Sequence, residues 1–257
     1  MAILKTNSGN IGVESRGSGP SVPIIFLHGV GSDKSVWEPQ LAHFSATRPA
    51  IAFDYPGYGE SDFWPDATRD DFAAVILAAM DSLAIESAHI CGLSLGGVIA
   101  IAMHAAAPQR CASLILADSF AIHPEGQAIY DRSIAASRDI GMRALAEARA
   151  GALLGSAATD AMMRAVVDTM SKIDPDAYAC GAEAVWLADQ CDRVAAIAAP
   201  TLVLCGDEDR ITPPELSHDL AAAITGASLA MIARSGHLAN LERPAAFNRL
   251  VDHFLPE

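Results

Sequence analysis

The chain has 257 residues, 51% of them hydrophobic, with 31 acidic against 17 basic side chains and a formal net charge of −14. That length suits one α/β domain with a sizeable core. The acidity argues against nucleic acid or an anionic membrane as partner.

The opening, "MAILKTNSGNIG", carries no signal-peptide apolar segment, so a reduced cytoplasm is the expected compartment. The five cysteines agree with that: Cys91, Cys111, Cys180, Cys191 and Cys205 contain no CxxC pair, and neither a disulfide framework nor a zinc site is indicated. After two N-terminal strands, "SRGSGPSVP" at 15–23 reads as a loop. Apolar runs of strand length follow at 24–28, 50–54, 88–92 and 113–118, and again at 201–206 and 228–233. Their continuous apolarity predicts parallel strands buried on both faces. Between them, Thr68 with Asp71 predicts a capped helix, and Phe72, Val75, Ile76 and Ala79 mark its buried face. The apolar helix around "VIAIAMHAAA" is too short to span a bilayer. Thr212, Pro213 and Glu215 form a capping-box pattern for a later helix, and Pro244 opens the last one.

The strand–helix alternation stops between about 120 and 190. Met162, Met163, Val166, Val167 and Met170 make a helical stripe there, and Asp174–Pro175 opens a helix carrying Tyr178, Val185 and Trp186. The expected architecture is a doubly wound, mostly parallel sheet with a helical lid inserted after the sixth strand. Residues 1–119 and 190–257 would form the core and 120–189 the lid.

Chemistry is concentrated in "ICGLSLGGVI" at 90–99. The spacing Gly92-x-Ser94-x-Gly96 between a buried strand and a buried helix is a nucleophile elbow, which makes Ser94 the expected nucleophile. The serine needs a base and the base an orienting acid. His237 follows the last apolar strand, and Asp207, Glu208 and Asp209 follow the one before it, both loops at the carboxyl edge where ligands bind in such sheets. Asp118 is the other position open to the acid, while Asp207 is read as holding its loop. Asp207, Asp209 and His237 lack the HxH or HxxxH spacing of metal ligands. Oxyanion donors are expected from the N–H groups of Leu95 and Val30, with Gly31 as the alternative to Val30.

These pieces, "LHGVG", "DYPGYGESD", "GLSLGG", "CGDEDRITP" and "SGHLANLERP", in this order, resemble the α/β-hydrolase superfamily over essentially the whole chain. The family's acid position, fourth in a Gly-x-x-Asp pattern, maps to Asp209 from Gly206. Serine at 94 disfavours the members that use an aspartate nucleophile. "YDRSIAASRDIGM", "PDAYACGAEAV" and "GHLANLERP" are similar to the 3-oxoadipate enol-lactonase group. Two departures stand out. "SFAIHPE" at 119–125 is apolar where that group tends to place a basic residue, and Tyr130 stands where a tryptophan is common. The resemblance therefore implies a cofactor-free, metal-free serine hydrolase of carboxylic esters or lactones, working through an acyl-enzyme as a monomer or homodimer. Trp37, Phe120, Ile122, Tyr130, Trp186 and Leu238 are the expected substrate contacts. A mainly apolar pocket is expected to favour neutral short- or medium-chain substrates, with Arg132, Arg138 and Arg143 the nearest cations for an anionic one. The alternatives are a C–C bond hydrolase of a vinylogous diketone, a cofactor-free perhydrolase, and a non-enzymatic ligand receptor on the same fold.

Overall fold

The computed structural model describes residues 2–6 and 9–256. Residues 1, 7, 8 and 257, which the expected core limits include, lie outside the described residues. The eight strands are β1 (Ala2–Thr6), β2 (Gly9–Arg16), β3 (Ile24–Leu27), β4 (Ala50–Phe53), β5 (Ala88–Leu93), β6 (Cys111–Ala117), β7 (Thr201–Gly206) and β8 (Ser228–Ile232). They form one sheet in the order β1-β2-β4-β3-β5-β6-β7-β8. Only the β1–β2 and β2–β4 pairs are antiparallel. The order reverses at β3, which pairs on one side with β4 and on the other with β5. The crevice outside the carboxyl ends of strands at such a reversal is the favoured ligand site of the fold.

Strands β3, β4, β5 and β7 are buried at every residue, as continuous apolarity predicts. Truncating one of their Leu, Ile or Phe side chains to alanine would cost about 2–5 kcal/mol. Strand β8 departs from that expectation: of its five residues only Ile232 is buried, and Met231 is exposed. It pairs with β7 alone and is the sheet edge. An apolar run cannot by itself distinguish an edge from a centre.

The helices are α1 (Glu38–Phe44), α2 (Arg69–Ser82), α3 (Leu95–Ala106), α4 (Gly126–Asp139), α5 (Gly141–Leu153), α6 (Asp160–Met170), α7 (Pro175–Trp186), α8 (Cys191–Ala195), α9 (Pro214–Ala223), α10 (Ala239–Glu242) and α11 (Pro244–Phe254). None is long and apolar enough to cross a membrane among the described residues. Thr68 caps α2 through a reciprocal box with Asp71. The expected box at Thr212 does not form. Pro213 occupies the N-cap of α9, because the Thr212 hydroxyl donates to Asp209 Oδ2 at 2.7 Å instead. Helices α4 to α7 occupy the interval between β6 and β7 and pack as the pairs α4–α7 and α5–α6. Helix α7 also touches α2 and α3, which seats the group on the rest of the fold.

Candidate active site

Strand β5 ends at Leu93 and α3 begins at Leu95, so the whole turn rests on Ser94. Its backbone has φ 54° and ψ −114°, a conformation that costs a non-glycine residue about 1–3 kcal/mol and persists only when neighbours enforce it. The enforcement is visible. Ser94 N–H donates to Ala117 O at 2.9 Å, and the Ser119 hydroxyl donates to Ser94 O at 2.9 Å. A Cβ at Gly92 would overlap the Gly96 carbonyl, and one at Gly96 would overlap the Leu27 carbonyl. Only glycine lets β3, β5 and α3 cross this closely, which is why glycines crowd the serine.

Asp209 and His237 come from the loops after β7 and β8. Both are buried, and His237 Nδ1 lies 2.8 Å from Asp209 Oδ2. Asp209 also accepts the N–H groups of Ile211 at 2.7 Å and Thr212 at 3.1 Å, and the Thr212 hydroxyl. Burial works to raise its pKa. The His237 charge and these hydrogen bonds outweigh it and hold the carboxyl below the usual range. A carboxylate offers only acceptors, so the Nδ1 facing it bears a proton, and in the neutral ring Nε2 is the nitrogen with the lone pair. His237 is fixed from behind as well. Its N–H donates to Leu153 O at the end of α5, and Glu242 accepts the N–H groups of Gly236 and Gly155, each at 2.8 Å.

Ser94 and His237 line one cavity of about 110 Å³, together with Val30, Trp186 and Leu238. The N–H groups of Val30 and Leu95 have no protein acceptor among the described residues. The loop carrying Val30 is tied down by Asp54. This fully buried carboxylate accepts Lys34 N–H at 2.8 Å, Lys34 Nζ at 2.6 Å and Glu60 N–H at 3.0 Å. Burial works to lower the Lys34 pKa, but its bonds to Asp54 and Glu60 raise it overall, so the ammonium stays charged.

Not every expected contact reaches the cavity. Trp37 is fully buried beneath it, 4.9 Å from Phe26 and 5.9 Å from Phe247 between ring centres. Phe120 stacks behind Trp186 at 6.0 Å. Ile122 is exposed and bridges to Asp189. Tyr130 lines a separate cleft with Phe63, Arg69 and Arg138. Asp207 accepts the Arg234 N–H at 2.7 Å, a loop-holding contact. Asp118 sits fully buried with φ 47° and accepts the Gly206 N–H at 2.8 Å. Burial and the nearby Asp209 raise its pKa well above the usual range.

Three contributors escaped the sequence reading. Thr212 and Ser119 bond to the site's own atoms. Arg149 projects from α5 into the cavity wall. Its signal was present, since Met142, Leu145 and Arg149 follow the spacing of one helical face. Of the arginines expected nearest an anionic substrate, Arg143 is exposed and pairs with Glu147 and Asp168.

A profile described as "Alpha/beta hydrolase family" matches residues 24–250. The 3-oxoadipate enol-lactonase 1 of Acinetobacter baylyi is 25% identical over 99% of this chain and 96% of its own. A 2-hydroxy-6-oxononadienedioate/2-hydroxy-6-oxononatrienedioate hydrolase of Cupriavidus pinatubonensis is 30% identical over 90% of this chain and 86% of its own. Among solved structures, an enol-lactonase from Burkholderia xenovorans superposes with a TM-score of 0.92 at 28% identity, covering 100% of both chains.

Proposed function

The chain belongs to the α/β-hydrolase family, and from that premise we propose that it hydrolyses carboxylic esters or lactones through an acyl-enzyme on Ser94. The observation that carries this reading is the strained Ser94 sharing a cavity wall with His237, whose Nδ1 is held by Asp209. Ser94 Oγ attacks the carbonyl carbon while His237 Nε2 takes its proton. The N–H groups of Leu95 and Val30 stabilise the oxyanion, aided by the partial positive charge at the start of α3. His237 then gives the proton to the leaving oxygen. Water, deprotonated by the same nitrogen, releases the acid. Asp209 holds the tautomer and stabilises the imidazolium. Helices α4 to α7 act as the lid, and their Met170 and Trp186 supply apolar surface that keeps water from the acyl-enzyme.

A panel of p-nitrophenyl esters, lactones and vinylogous diketones tests the proposal. Multiple turnovers on esters or lactones, and one phosphonate added per chain at Ser94, are expected. Turnover confined to the diketones would replace it with C–C cleavage. Binding without turnover of any member would leave a receptor.

A further inference from the structure

We propose that Arg149 receives a carboxylate of the substrate, so that the preferred ester or lactone carries an anionic arm remote from its scissile carbonyl. The proposal rests on the reading of Ser94 as nucleophile.

Among the described residues, Arg149 is the one arginine or lysine on the wall of the cavity that holds Ser94 and His237. Its surroundings orient the guanidinium without neutralising it. Nη1 donates to the Tyr178 hydroxyl at 2.9 Å and to Ser133 Oγ at 3.1 Å, both uncharged. Nε and Nη2 have no protein acceptor, and no carboxylate lies within 4.0 Å, among the described residues. This chain has 31 acidic residues for 17 basic ones, and Arg16, Arg110, Arg143 and Arg193 each find a carboxylate. A half-buried arginine kept away from all of them, on the wall of the nucleophile's cavity, is poised for an acid that arrives with the substrate.

The neighbouring cleft adds to the case. Arg149 and Trp186 also border a second cavity of about 410 Å³, which holds Arg132 and Arg210 and, among the described residues, one acid, Glu125. Neither of those arginines is ion-paired within 4.0 Å among the described residues. On a chain of net charge −14, general repulsion works against an anionic ligand, and a local cluster of cations reverses the field where it matters. The free edge of a guanidinium matches a carboxylate in two parallel hydrogen bonds. The apolar remainder of the cavity wall strengthens that attraction by excluding water. The expected apolar walls are thus present, but the preference they alone would give, for neutral substrates, is reversed by one residue.

The test compares chain-matched pairs. Mono-p-nitrophenyl glutarate against p-nitrophenyl pentanoate probes an anionic acyl arm, and 4-acetoxybutanoate against butyl acetate probes an anionic alcohol arm. In at least one pair, wild-type kcat/KM should favour the anion at least tenfold. Arg149→Met should reduce the anion-to-neutral ratio by about 30-fold, within the range for removing one partner of a hydrogen-bonded charge pair, and Arg149→Lys should keep part of it. Arg143→Met, an exposed control, should leave the ratio unchanged. Monomethyl glutarate titrated by calorimetry into Ser94→Ala and into Ser94→Ala/Arg149→Met reads the subsite without chemistry, with binding expected only in the former. Equal loss on both members of each pair in Arg149→Met, at a lowered Tm, would make Arg149 a tie between helices and overturn the proposal. So would a wild-type preference for the neutral member in both pairs. Absence of turnover with every ester would instead defeat the nucleophile reading, and the calorimetric arm would still decide Arg149.

Discussion

The strand ends and the helical insertion meet across one cavity and are built differently. On the strand side, Asp209 accepts four hydrogen bonds, and Ser94 is held at both its N–H and its carbonyl. On the insertion side, the wall is Leu153, Ala165, Val166, Thr169, Met170 and Trp186, apolar but for the Thr169 hydroxyl, with Arg149 anchored through a single nitrogen. Reacting groups must be placed to a fraction of an ångström, and only directional bonds do that. An apolar wall selects by area and volume and tolerates exchange of similar side chains. On the proposed mechanism, that contrast puts rate on the strand side and selectivity on the insertion side.

Ser94→Ala breaks the strand side outright. Loss of up to about 10⁶ in turnover is expected, with the fold intact by circular dichroism, since alanine keeps the Cβ that the turn already accommodates. Retained turnover would move the chemistry off the strand edge. Asp209→Asn is next, at about 10⁴ in kcat by analogy with the serine protease triad. An amide nitrogen facing Nδ1 asks that atom to accept, which places the proton on Nε2 where the base is needed. A loss below tenfold in kcat would show that Asp209 does not set the tautomer.

The two sides also differ in how much of them could be read from the chain. The elbow is local: Gly92, Ser94 and Gly96 lie within one turn, and the overlaps that exclude a Cβ follow from any strand–turn–helix crossing. The loops after β7 and β8 inherit their position from the sheet, so Asp209 and His237 fall on the Ser94 edge once the strands are recognised. Facing on the insertion depends on how each helix is rotated, which propensity does not encode. Tyr130 and Arg138 therefore fell on the wrong cleft and Arg149 went unnoticed. Trp37 failed for a related reason. It sits close in sequence to the Val30 loop, but Phe26 and Phe247 below offer its ring more burial than the cavity above. Thr212 shows a local rule overruled by a tertiary one. Its capping pattern was sound, and a charged acceptor within reach claimed the hydroxyl.

Thr212→Val sharpens the comparison on the strand side. It preserves shape at a fully buried position and removes one donor from Asp209. A hydrogen bond to a charged group contributes about 1.5–3 kcal/mol, so a kcat loss of roughly tenfold or somewhat more is expected. Asp209 has a lowered pKa. Losing the bond raises it, and the lowest-pH limb of the activity profile, where Asp209 itself is protonated, should move to higher pH. A limb that stays in place while kcat falls would mean that Thr212 acts on His237, 3.2 Å away, rather than on Asp209.

The smallest effect on rate belongs to Asp118→Asn, and it is read most clearly in stability. Asp118, Cys205 and Asp209 bring ligand atoms within 4.8 Å of one another. Two carboxyls this close in a buried site do not both ionise without cost. Asp209 is held ionised by His237 and three further donors, so Asp118 keeps the proton, in agreement with its raised pKa. The folded chain then binds a proton that the unfolded chain releases above its ordinary value of 3.8. Stability from this group is greatest below that value and declines as pH rises towards the folded pKa. Asparagine copies the shape and the donor of the protonated acid and has no proton to lose. The variant should match wild type near pH 4 and gain on it as pH rises to 7, with each kcal/mol worth about 2–4 °C in Tm. Its kcat should stay within about threefold of wild type, because Asp209 already orients His237 and a neutral side chain replaces a neutral one. A Tm difference that does not change with pH would show Asp118 to be ionised in the folded chain. A kcat loss near that of Asp209→Asn would transfer the orienting role from the loop after β7 to the end of β6.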